Sequence, residues 1–143
     1  MLRATVILLF STMSCLLCGC SSGSKTTFDV KGTVTFDGKL VPAGRIDFYP
    51  DFTQGNDGPQ GFAIIKDGVF DTSKPGGQGH AGGAMLIKVE GFDGKSDNPQ
   101  FFGTPIFRVH EFKRELSRGS SVENFEVPAS AAEDFTPTKQ SPT

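Results

Sequence analysis

Cysteine is missing from everything after residue 20: Cys15, Cys18 and Cys20 are the whole complement, so no disulfide is available to the folded part of the chain. The fold must rest on its apolar core. Tryptophan is absent and tyrosine occurs once. His80 and His110 are the only histidines, and a three-ligand zinc site would need both of them plus a carboxylate. After residue 23 no G-x-S-x-G nucleophile elbow occurs. No basic run occurs either: Lys113-Arg114 and Arg118 are interrupted by Glu111 and Glu115, which removes the electrostatic footprint of a nucleic-acid partner. The only long apolar run, Ala4 to Leu17, is too short to span a bilayer comfortably as a permanent helix.

What is present begins with that run. Arg3, the apolar stretch and the small residues after it have the three-part layout of a secretory signal. Leu17-Cys18-Gly19-Cys20-Ser21 resembles the bacterial lipobox, with Cys18 where Ala or Ser is more usual. The resemblance implies that residues 1–19 are a cleaved leader and that Cys20 is acylated and becomes the first residue. Cys15 and Cys18 have C-x-x-C spacing, but no βαβ pattern surrounds them, so they read as leader composition. Two or more acyl chains make membrane attachment durable where one does not. Ser21 is not the Asp that marks inner-membrane retention in some bacteria, which favours the outer membrane. Ser21 to Thr27 follows as a polar tether within a lipidated segment, residues 20–27. Cleavage removes Arg3 as its only charge, moving the net charge from −2 to −3.

The remaining chain is rich in turn formers and phenylalanine, with 18 Gly, 9 Pro and 14 Phe, which argues for short β-strands. Phe28, Val30, Val34 and Phe36 alternate with Asp29, Lys31, Thr33 and Thr35, the period of a half-buried strand. Ile46 and Phe48 repeat that pattern. Similar readings predict strands near 28–36, 44–49, 61–66, 69–72, 84–90, 105–116 and 122–127. EFKREL within the sixth also fits helical spacing. Asp37-Gly38 and Asp67-Gly68 read as tight turns, the second closing the clearest hairpin. Seven strands over residues 28–128 predict an all-β, two-sheet, immunoglobulin-like or transthyretin-like sandwich, followed by a disordered tail at 129–143.

Val30, Gly32, Val34, Asp37, Gly38, Val41, Pro42, Gly44, Ile46, Phe48 and Pro50 form the order V-x-G-x-V-x-x-D-G-x-x-V-P-x-G-x-I-x-F-x-P. That order resembles the opening hairpin of bacterial carboxypeptidase-regulatory-like domains, small transthyretin-like β-sandwiches often carried by secreted lipoproteins. The resemblance continues through Asp67-Gly68-x-Phe70, the Gly76 to Gly83 loop and the strand from Ala84 to Gly91, and weakens after Asp93. It implies a scaffold fold and says little about function.

Candidate chemistry is sparse. Gly77-x-Gly79-x-x-Gly82 matches the dinucleotide string, yet the next segment, AMLIKVE, alternates as a strand where a phosphate-binding helix is required. His80 in that loop and His110 beside Glu111 read as solvated histidines. Asp51, Asn56 and Asp57 in one loop, and Asp93 and Asp97 in another, offer oxygen ligands without the twelve-residue calcium pattern; turn chemistry uses the same residues. Phe101, Phe102 and Phe107 either close the open end of the domain or form an apolar patch. The reading expects a non-enzymatic binding or structural module without a cofactor, anchored to the envelope membrane and facing an envelope protein or polymer. Asp51, Asn56, Asp57, Gly77, Gly79 and His80 mark the loops that would meet it. Two alternatives stay open: an accessory domain or weak hydrolase on an envelope polymer using His80 or His110, and loop-mediated calcium or carbohydrate binding.

Overall fold

The structure is a computed structural model that describes residues 26–98, 101–133 and 135. The expected leader, Cys20 and most of the expected tether and tail lie outside the described residues. Among the described residues nine strands form: β1 (Val30–Phe36), β2 (Lys39–Leu40), β3 (Ala43–Pro50), β4 (Gly61–Lys66), β5 (Val69–Asp71), β6 (Gly83–Phe92), β7 (His110–Leu116), β8 (Ser121–Val122) and β9 (Phe125–Val127). Two single-turn 3₁₀ helices, Phe52–Gln54 and Ala129–Ala132, complete the described elements.

The strands build one curled sheet in the order β2-β1-β5-β4-β3-β6-β7, antiparallel throughout that path. β8 and β9 add to β1 in parallel. The chain is all-β because period-two burial decides each element. In β6 every second residue from Gly83 to Gly91 is buried, and β4 buries Gly61, Ala63 and Ile65. Both Asp-Gly pairs carry positive φ at both positions (Asp37 49° and Gly38 72°; Asp67 50° and Gly68 76°), the type I′ geometry whose twist matches a hairpin.

Curling brings β9 against the middle of the sheet. Phe125 on β9 packs against Phe48 of β3, Phe70 of β5 and Phe112 of β7, with ring centroids 6.4, 5.9 and 5.3 Å apart. These rings and the buried aliphatics of β1, β3, β4 and β6 form one core. On the outer face Asp47 is nearly buried because Arg45 covers it with a forked ion pair (Nη2 to Oδ1 2.8 Å) while stacking on Phe62. The outer edge of β7 has no strand partner among the described residues. Glu111, Lys113 and Glu115 line it with charge, which blunts edge-to-edge pairing.

Several expectations are refined. EFKREL is strand, because pairing with β6 sets its register from Val89↔His110 to Gly83↔Leu116. The sixth strand starts later than expected, at His110, and only a single bridge, Phe92↔Pro105, precedes it. The seventh divides into β8 and β9, and β2 lies between the strands expected near 28–36 and 44–49. The folded part does not stop at residue 128: Ala131 and Ala132 pack on the core, and the Ala131 carbonyl accepts a hydrogen bond from the Arg108 amide at 3.0 Å. Phe101, Phe102 and Phe107 split their roles. Phe107 is core, Phe102 stacks on Phe92 at 5.4 Å, and Phe101 is exposed.

Candidate functional site

β3 ends at Pro50, β4 begins at Gly61, β6 begins at Gly83 and β7 ends at Leu116, and the register pairs these ends with one another. The loops 51–60, 72–82 and 117–120 therefore meet at one end of the sheet. The two loops singled out from the sequence are in direct contact there.

Asn56 joins them. Its Nδ2 donates to the carbonyls of Gly82 (2.8 Å) and Ala84 (2.7 Å) and lies 3.3 Å from Met85 Sδ. Its own backbone amide donates to Asp51, whose amide donates in turn to Ala84. Gly58 lies so close to the second loop that a Cβ there would sit 2.1 Å from that of Ala81. Gln78 closes the far side, exchanging backbone hydrogen bonds with Phe62 and donating its side chain to the Gln60 carbonyl. The outcome is one cross-linked surface in place of two independent loops.

Asp51 caps the short helix at Phe52–Gln54. Its carboxylate accepts from the Thr53 hydroxyl and from the Thr53 amide (3.0 Å), and those bonds, aided by the positive field of Lys113, hold it below the usual carboxylate range. Asp51, Gln54, Lys113, Arg114 and Glu115 line an open depression of about 250 Å³ floored by Ala84 and Met85. Between Asp51 and Gln54 stands Phe52, 73% exposed. Asp57 is exposed on the same loop.

Gly77 and Gly79 do not shape a phosphate cradle. A Cβ at Gly79 would lie 2.8 Å from the Phe28 carbonyl oxygen, so the chain's own backbone occupies the space the loop encloses. The element that follows is strand β6, which supplies no helix dipole.

His80 departs most from expectation. It has no exposed surface, because its backbone exchanges hydrogen bonds with Phe28 (2.9 and 3.0 Å) and draws the side chain under the loop against Phe48, ring centroids 5.5 Å apart. Burial pushes its pKa down, and Asp29 opposes that shift. Its side chain is therefore core structure, not a contact offered to a partner. His110 lies on β7, half-buried, edge-on to Phe112 at 4.8 Å.

The sequence reading overlooked Phe52, Asn56 as the clamp, and the charged rim from β7. Phe52 had a signal, a lone large aromatic inside the polar stretch DFTQGND. The rim had none, since it depends on β7 lying beside β6. Among the described residues no group of three or more His, Cys, Asp and Glu could hold a metal ion, and no helix is long and apolar enough to cross a membrane. Searches against protein-family models, curated proteins and solved structures found no match to this chain.

Proposed function

We propose that this chain is an exported lipoprotein of a bacterial envelope, acylated at Cys20, whose β-domain is a non-enzymatic binding or structural module. The observation that carries the binding reading is the fused loop end: a surface held rigid by Asn56, bearing an exposed Phe52 beside a depression of mixed charge. A large exposed aromatic on a rigid surface is the kind of side chain that can anchor a protein or polymer partner. The lipobox-like Leu17 to Cys20 and the polar tether support the anchor, and Ser21 favours the outer membrane. The finer fold reading is the two-sheet transthyretin-like sandwich of carboxypeptidase-regulatory-like domains. It is supported by the hairpin motif and by Phe125 of β9 facing Phe48, Phe70 and Phe112 across the core.

The hydrolase reading through His80 and the calcium reading draw no such support. His80 is enclosed, Asp51 is committed to Thr53 and Asn56 to the neighbouring loop. Two substitutions test the proposal. Cys20→Ser should move the protein from the membrane to the soluble envelope fraction; unchanged retention would overturn the anchor. Phe52→Ala should leave stability within about 0.5 kcal/mol, as exposed substitutions do. It should also abolish crosslinking to an envelope component in intact cells, and an unaltered crosslinking pattern would overturn the site.

A further inference from the structure

His80 carries a feature that packing alone does not require. Nδ1 accepts a hydrogen bond from the Gly82 amide at 2.9 Å, so that nitrogen bears no proton and the neutral ring is the Nε2–H tautomer. Nε2 is buried and has no hydrogen-bond partner. A second proton would have to go onto Nδ1, where it would face the Gly82 amide, donor against donor. The charge would also lie against Phe48, between the Phe28 bridge and Gly61, whose added Cβ would meet that of His80 at 2.8 Å. None of these neighbours is charged. Asp29, beside Phe28 at the head of β1, is the one charged group acting on the ring, and it favours the proton without contacting either nitrogen.

We propose that His80 is a pH latch for the glycine loop: the neutral ring pins Gly82 in place, and acidification releases residues 76–83 from the Asn56 clamp. Gly82 is the shared point, since its amide is held by His80 and its carbonyl by Asn56. Burial lowers the proton affinity of the folded state below that of an unfolded histidine, near 6.5. The stability that His80 contributes is therefore fully present above about pH 6.5 and lost as pH falls below it. The latch is a property of the loop and stands whether or not the loop end binds a partner.

The test uses nitrogen NMR and amide hydrogen exchange on the full chain from pH 7.5 to 5, with intrinsic exchange rates divided out. The expected result is an Nε2–H tautomer at pH 7.5. Protection of the Gly82 amide should fall by up to tenfold per pH unit below about 6.5, the limit for one linked proton, while β3 and β6 amides hold theirs. His80→Asn keeps an acceptor near the Nδ1 position without a titrating proton and should flatten the response. Asp29→Asn removes the one charge that favours the proton in the folded state and should extend the loss to lower pH without moving its onset. An Nδ1–H tautomer, a Gly82 amide indifferent to pH, or an unchanged response in His80→Asn would each overturn the latch. Should His80→Asn fail to fold, the tautomer and the pH response of the unmodified chain decide alone.

Discussion

The two ends of the sheet solve the same problem, closing strands, in opposite ways. At one end Asp37-Gly38 and Asp67-Gly68 reverse the chain within two residues, each using positive φ at adjacent positions. At the other, the chain between β3 and β4 is closed by a side chain, Asn56, bonded to carbonyls 26 and 28 residues away. The local turns take their conformation from their own two residues, and backbone bonds such as Asp37 to Val127 and Gly68 to Val41 then tie them to the sheet. A loop end held by distant partners can be rigid when assembled and can be loosened at one point, which suits a surface that recognises something. The difference places structural economy at the turn end and candidate function at the loop end.

Substitutions sharpen that contrast. The largest effect is expected at the loop end from Gly58→Ala, whose Cβ would meet Ala81 at 2.1 Å and force the two loops apart. It should lower stability by about 3 kcal/mol, the upper part of the range for overpacking, measured by urea unfolding. Asn56→Ala should follow at about 2 kcal/mol, because it takes the side-chain donor from the Gly82 carbonyl and leaves that of Ala84 with the Asp51 amide alone. At the turn end, Gly38→Ala meets no atom within 4 Å, and the cost is only that of a left-handed residue with a Cβ, about 1 kcal/mol. The contrast breaks if Gly38→Ala costs more than Asn56→Ala.

The same contrast explains what the sequence made legible. Val30 and Val34, Ile46 and Phe48, and the alternation of Ala84 to Glu90 announce their strands because burial on one face of a sheet imposes period two. Asp67-Gly68 announces its turn because the conformation it needs is a property of those two residues. Asn56 was legible only as a polar loop residue, since its role exists once Gly82 and Ala84 arrive from the next loop. His80 looked solvated for a related reason: glycine neighbours usually mean an exposed loop, and here they let the backbone approach Phe28 closely enough to bury the ring. β8 and β9 were read as one strand because nothing local shows that β1 divides its partners between them.

Amide hydrogen exchange on the full chain at pH 7.5, with and without Asn56→Ala, tests most directly whether the two loops form one body. The Asp51 and Gly82 amides, which lie on different loops, should lose protection together by tenfold or more, while the Gly68 amide, bonded to Val41 at the turn end, keeps its own. Loss at Asp51 with Gly82 unchanged would mean two independent loops, and the cross-linked surface on which the binding proposal stands would be contradicted.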